Sequence, residues 1–280
     1  MTRRTTLVLG GTGKTGRRVA ERLRARNLPV RIGSRSGVPP FDWEKPDTWP
    51  AALHGVDAVY ISYYPDVAAP GAANVIQAIT DLAVRSGVGR LLLLSGRGER
   101  EAQHCEQIVR ESGAEWTVLR ASWFSQNFSE NFFLEPVLAG EVALPAGNVG
   151  EPFVDADDIA DVAAAALTEE GHAGQTYELT GPRLWTFAEA VREIARVTHR
   201  DLRFVDVPVE DYTLALESAG LPPPLVSLIT YLFTEVLDGR NAWVGDGVRR
   251  ALGRDPRDFS DYVRRTAATG TWDVHELQGA

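Results

Sequence analysis

The chain has 280 residues, a formal charge of −9, an apolar fraction of 44% and a charged fraction of 24%. This is enough for one large α/β domain or a domain with an appended lobe, with the composition of a globular protein. The acidic balance excludes a nucleic-acid footprint, no apolar run reaches the ~20 residues of a membrane span, and the single cysteine, Cys105, cannot close an internal disulfide.

Met1-Thr2-Arg3-Arg4 runs directly into a strand of core character rather than into an export signal, so a cytoplasmic location is expected. No metal-ligand spacing occurs, and Cys105 has no basic cluster beside it to make it a nucleophile.

The apolar run Thr6-Leu7-Val8-Leu9 breaks at Gly10-Gly11-Thr12-Gly13-Lys14-Thr15-Gly16 and opens into a helix through Arg17 and Leu23. Glycines at 10, 13 and 16 let the chain turn sharply, bring backbone close to a ligand and pack the helix on the strand. The unpaired N–H groups and the dipole at the helix start can hold a pyrophosphate without a dedicated basic residue. A nucleoside-triphosphate P-loop is excluded, because Val8 stands where its first glycine belongs. A glycine turn that binds nothing is the plain alternative.

Pro29 to Arg35 reads as a second strand ending in Ser34 and Arg35, about twenty residues beyond the turn, where cofactor choice is made. An acidic residue there would bind the ribose hydroxyls, whereas arginine neutralises a 2′-phosphate, so Arg35 favours NADP(H) over NAD(H). The plain alternative is a solvated loop arginine. Val38 to Trp43 is read as a short strand end beside the adenine site, and Thr48 to Leu53 as a short helix. Asp57 to Ser62 is the next apolar strand. Tyr63-Tyr64-Pro65 follow it at the carboxyl edge of the sheet, where either tyrosine could donate a proton or line the cleft.

Ala72 to Ser86 carries an apolar stripe at helical spacing, and Arg90 to Gly96 is continuously apolar, as a strand buried on both faces should be. A helix through Glu106 to Glu111 and a strand from Trp116 to Arg120 complete an alternation that predicts a doubly wound parallel α/β sheet of Rossmann type.

From Ser122 the pattern changes. Trp123, Phe124, Phe128, Phe132 and Phe133 crowd together with Asn127 and Asn131, either as a pocket wall or as core. Asp155, Asp157 and Asp158 are read as helix caps and dipole partners rather than as a metal or acid–base group. Gln175 to Pro182 reads as strand and turn, Thr186 as the cap of a further helix, and Leu202 to Val207 as a late strand; the remainder reads as largely helical. Residues 1–120 are assigned to an NADP-binding Rossmann core. Residues 121–280 are assigned mostly to a smaller, substrate-covering lobe built onto the same domain.

With Gly10 to Gly16, Phe41-Asp42-Trp43, Ser95-Gly96, Leu119-Arg120 and Phe124-x-x-Asn127, the chain resembles the NmrA-like atypical short-chain dehydrogenases over nearly its whole length. Asp238-Gly239-Arg240 and Gly253 make it most similar to the branch that includes agroclavine dehydrogenase of ergot-alkaloid biosynthesis. The resemblance implies NADP(H) bound with Gly10, Thr12, Gly13, Lys14, Thr15 and Gly16 at the phosphates and Ser34 and Arg35 at the adenosine phosphate. Asp42 and Trp43 would lie by the adenine, Ser62 and Tyr63 by the ribose, and Ser95 beneath the nicotinamide. Tyr64, Trp123, Phe124, Asn127 and Phe128 are the expected substrate pocket.

One departure is plain. The helix after Ser95 lacks the family's Tyr-x-x-x-Lys, leaving His104 as a replacement proton donor or as an exposed helix residue without a role. The expected activity is therefore NADPH-dependent reduction of a planar, electron-poor small molecule that needs hydride placed in reach more than a strong acid: an iminium or imine, a quinone or a conjugated carbonyl. The alternatives are a redox-sensing protein that binds NADP without chemistry, and a non-redox isomerase or cyclase. A monomer or homodimer is expected, with no nucleic acid or membrane as partner.

Overall fold

The computed structural model describes residues 4–274. In chain order the elements are β1 (Thr6–Leu9), α1 (Lys14–Ala25), β2 (Val30–Gly33), α2 (Trp49–Leu53), β3 (Ala58–Ile61), α3 (Ala72–Arg85), β4 (Arg90–Gly96), α4 (Arg100–Arg110), β5 (Glu115–Ala121), α5 (Asn127–Glu130), α6 (Leu134–Ala139) and β6 (Glu141–Leu144). There follow α7 (Ala156–Thr168), β7 (Gln175–Leu179), α8 (Phe187–Thr198), β8 (Arg203–Asp206), α9 (Val209–Ser218), α10 (Pro223–Tyr231), α11 (Gly247–Leu252) and α12 (Phe259–Ala267).

Six strands form one parallel sheet in the order β2-β1-β3-β4-β5-β7, a Rossmann-type α/β fold. Strands β1 and β3 are buried at every residue, as is β4 from Arg90 to Leu93. That burial is why their sequences are apolar runs rather than alternations. One face carries a core of Leu7, Leu9, Ile61, Leu91 and Leu93 packed with Ile76, Ile79, Cys105 and Val109 of α3 and α4. The strand order reverses at β1, with β2 on one side and β3 on the other, and ligands of open α/β sheets bind at the carboxyl ends of the strands at such a point.

By contact pattern the chain forms two compact units. The first is the chain up to Ser122 together with Ala156–Thr180 and Gly245–Pro256, and the second is Trp123–Asp155, Gly181–Val244 and the chain from Arg257. The boundary near residue 120 is therefore not a single division. Strand β7 completes the main sheet, pairing in register with β5 from Thr117↔Gln175 to Ala121↔Leu179. The segment from Gly245 then returns to β7 so closely that a Cβ on Gly247 would lie 2.4 Å from the Glu178 carbonyl oxygen.

One further expectation is corrected. Phe41 belongs to a loop rather than to a strand end; it is buried by edge contact with Trp43 at 4.8 Å and near-parallel packing on Trp49 at 6.0 Å. The acidic group around α7 sits as expected, with Asp157 and Asp158 in the first turn of the helix, and it also makes ion pairs: Asp157 with Arg22 at 2.6 Å and Asp158, fully buried, with Arg254 at 2.7 Å in the first unit, and Asp155 with Arg265 in the second. The late strand expected over Leu202 to Val207 is β8, and it pairs in parallel with β6, a strand of the second unit that the sequence pattern does not announce. Thr186 does cap α8, in a full capping box with Glu189.

The core of the second unit is aromatic. Phe128, Phe133, Phe153, Phe187 and Phe259 pack ring against ring, with centroid separations from 5.1 to 6.1 Å.

Candidate functional site

Gly10 leaves β1 in the left-handed region at φ +67°, and a Cβ on it would sit 3.0 Å from the Ser62 carbonyl oxygen at the end of β3. The two strand ends therefore meet at the switch point. Gly13 donates its N–H to the Gly10 carbonyl at 2.8 Å and stands before α1 in extended conformation. Helix α1 has no acidic residue in its first turn and no side-chain cap hydrogen bond. Its positive end is thus open to an anion.

The three glycines serve different ends. Gly16 is demanded by packing, since a Cβ there would lie 2.2 Å from the Gly10 carbonyl oxygen. Gly13 is exposed, and a Cβ on it would meet only that same oxygen, at 3.1 Å. Thr12 is exposed beside it, Lys14 is half-buried, and Thr15 is buried with its side chain against Tyr60.

Gly11 donates to the Gly33 carbonyl at 3.4 Å, tying the turn to the end of β2. There the Ser34 carbonyl accepts the N–H groups of Gly37 and Phe41, folding the loop back on itself. Arg35 is exposed and makes no hydrogen bond or ion pair among the described residues. Trp43, expected by the adenine, and Tyr63, expected by the ribose, stand edge to face with centroids 5.0 Å apart. Asp42 braces the loop that presents Trp43, its carboxylate accepting the Glu44 N–H at 3.1 Å and its carbonyl accepting Trp49 Nε1 at 2.8 Å. Burial pushes the Tyr63 phenol up from its ordinary value, with Cys105 and Glu44 adding to it. Tyr64 projects into solvent, 76% exposed.

At the end of β4 the Ser95 hydroxyl is buried and donates to Glu106 Oε1 at 2.8 Å. It anchors α4. Glu106 is fully buried and also takes bonds from Arg110 at 2.8 Å and from Arg120 at 2.7 and 2.6 Å, while Arg120 and Arg97 reach Glu178 at 3.0 Å each. A buried ion pair of this kind is costly to break, because removing one partner strands the other charge.

His104 does not join this group. It lies on the exposed face of α4, and the residue of that helix that meets Ser95 is Glu106, two positions on and roughly 200° around the helix. Cys105 is buried with its thiol toward the Val67 carbonyl, and burial foremost pushes its pKa up to about 12, which keeps it protonated.

Two carboxylic acids that the sequence pattern did not single out do belong here. Glu99, at the start of α4, is 7% exposed, and its Oε2 is buried without a hydrogen-bond partner among the described residues. Burial raises its pKa well above the ordinary value, and the charges of Asp66 and Glu106 raise it further. Asp66, in the loop after β3, accepts the Ala68 N–H at 2.8 Å and is also raised by burial. A readable signal was the acidic residue at 106, set among the buried Ala102, Cys105 and Val109 of one helix face.

The second unit holds the other four expected pocket residues, Tyr64 being in the first. Phe128 is a correction: it is fully buried at the centre of the aromatic core and is no wall. Trp123 is half-buried, packed on Phe133, Phe187 and Phe233; Phe124 and Asn127 are also half-buried.

Among the described residues no helix is long and apolar enough to cross a membrane.

Residues 10–170 match the family model described as NAD(P)H-binding. The NAD(P)H azoreductase of Xenophilus azovorans is 31% identical over 94% of this chain and 98% of its own. Agroclavine dehydrogenase of Claviceps fusiformis is 28% identical over 92% of this chain and 96% of its own. The triphenylmethane reductase of a Citrobacter species, solved with NADP(H), superposes with a TM-score of 0.74 at 20% identity, covering 94% of this chain and 99% of that one.

Proposed function

We propose, from the premise that this chain belongs to the NAD(P)H-binding family, that it is an NADPH-dependent reductase passing hydride to a planar, electron-poor small molecule: an iminium or imine, a quinone or a conjugated carbonyl. The observation that carries the cofactor half is a pairing: exposed Gly13 at the uncapped start of α1, and exposed, unpartnered Arg35 at the end of β2. Both fit an anion. The open helix start suits the pyrophosphate, and a free guanidinium suits a 2′-phosphate that NADH lacks.

On this reading Gly10 to Gly16 hold the pyrophosphate with backbone N–H groups, Ser34 and Arg35 hold the adenosine phosphate, and Trp43 and Tyr63 flank the adenosine. The bound cofactor would supply the hydride. The chain's own contribution is to place an acceptor within reach and exclude water from it. Half-buried Trp123 and Phe124 offer the stacking surface that a flat or cationic acceptor favours. The azo and triphenylmethane substrates in the names of similar proteins are of that kind.

A thermal-shift titration with NADPH, NADP, NADH and NAD tests the cofactor. Ligand at a hundred times its Kd adds about 2.7 kcal/mol of stability. A shift confined to the phosphorylated pair supports the reading, and no shift with any of the four overturns it. NADPH oxidation in the presence of a 1,4-naphthoquinone and of a cationic triphenylmethane dye then tests the chemistry. Binding without oxidation of NADPH by either would favour a redox-sensing protein instead.

A further inference from the structure

The Glu99 carboxyl occupies the place that a side chain at Gly96, the last residue of β4, would take. A Cβ there would lie 2.2 Å from Glu99 Oε2 and 2.3 Å from Oε1. The group therefore stands over the carboxyl end of a central strand, one residue beyond Ser95, at the sheet edge where an acceptor and the reactive end of the cofactor belong. Its Oε2 is buried without a partner among the described residues. A buried carboxylate oxygen without a donor is expensive, whereas a neutral acid in the same place costs far less. The groups facing it add to this: Asp66 from the loop after β3, and Glu106 from its own helix, whose charge is in turn met by Arg110 and Arg120. No cation neutralises Glu99 itself among the described residues.

The geometry points to Glu99 as a catalytic residue of the reductase, the neutral acid that protonates the heteroatom of an acceptor as hydride arrives. The inference rests on the reductase reading above. Reducing a quinone takes one hydride and one proton: the hydride bonds to a ring carbon, the conjugated π pair moves to the carbonyl oxygen, the Glu99 O–H bond breaks as an O–H bond forms there, the adduct tautomerises to the hydroquinone, and the carboxylate left behind is reprotonated from solvent. Reducing a cationic triphenylmethane dye takes hydride alone, since the carbocation becomes a neutral leuco compound with no proton added. Glu99 thus matters to one acceptor and not to the chemistry of the other.

That asymmetry makes the test. For wild type and Glu99→Gln, kcat is measured with NADPH and each acceptor, a 1,4-naphthoquinone and a cationic triphenylmethane dye. Infrared spectra of the protein without nucleotide are recorded at neutral pH. The expected result is a fall of about a hundredfold in the quinone-to-dye ratio of kcat in the variant, the size of a general-acid contribution. A carboxylic-acid carbonyl band in wild type should be absent from the variant. An unchanged ratio overturns the assignment, whether both rates hold or both fall together, as does a wild-type spectrum without the band. Failure of wild type to oxidise NADPH with either acceptor overturns the reductase reading, and this assignment with it.

Discussion

Gly16 lies so close to Gly10 that a Cβ on it would come within 2.2 Å of the Gly10 carbonyl oxygen, whereas a Cβ on Gly13 would stay 3.1 Å from the same atom. Gly16→Ala should therefore push α1 off the turn and cost about 1–3 kcal/mol, the range for overpacking. Gly13→Ala should leave the urea midpoint nearly unchanged and weaken NADPH binding about tenfold or more, because the added methyl stands on the exposed turn that a pyrophosphate must approach closely. Urea denaturation and a nucleotide titration of both variants check this. Equal loss of stability in the two would mean that Gly13, like Gly16, serves the fold.

Among the described residues Arg35 has no partner to lose, and on the proposed reading it meets the cofactor alone. Arg35→Ala should weaken NADPH by about 1.5–3 kcal/mol and leave NADH within twofold, because only the 2′-phosphate meets the guanidinium. Isothermal titration with both nucleotides measures the difference. An unchanged preference removes Arg35 from the site.

Core and wall separate by mutation. Phe128→Ala, at a fully buried ring, should cost about 3–5 kcal/mol. Trp123→Ala, at a half-buried one, should cost less and lower turnover with both acceptors while NADPH binding holds. Turnover unaffected by Trp123→Ala would take it out of the pocket.

The raised Glu99 pKa also predicts how stability depends on pH. On unfolding the carboxyl returns to its ordinary value of 4.5, so the folded chain holds the proton more tightly, its pKa raised by burial first and then by Asp66 and Glu106. Its contribution is complete below the ordinary value and is lost as pH climbs through the raised one. Glu99→Gln has no such proton to lose. The melting temperature of the variant relative to wild type should therefore rise with pH above 4.5, and a difference that stays constant would mean that Glu99 titrates as an exposed acid.

The sheet was legible because a strand buried on both faces leaves an apolar run, and β1, β3 and β4 are such runs. The glycine turn was legible because sterics at Gly10 and Gly16 admit no other residue. What failed needed partners distant in the chain. Glu141–Leu144 is a strand only because it pairs with Arg203–Asp206, and four residues carry too little pattern to announce it. Phe41 has the composition of a strand end, yet Trp43 and Trp49 hold it in a loop. Phe124 stands just before, and Phe128 within, a helix of one turn, α5, over which no periodicity can say which ring faces inward. Glu99 was missed for a related reason: an acidic residue at a helix start reads as a cap, and only its empty surroundings mark it otherwise.

Because β7 reaches the sheet only after the chain has passed through the second unit, this molecule cannot be dissected at one point. A fragment ending at Ser122 would leave β5 as an open edge, with the backbone groups of Thr117 to Ala121 that face β7 unpaired and ready to template aggregation. For the same reason a transplant of the second unit between relatives must replace three separate stretches while keeping Ala156–Thr180 and Gly245–Pro256 in place. A swap of the C-terminal half would remove β7 from the main sheet along with the second-unit residues it was meant to change.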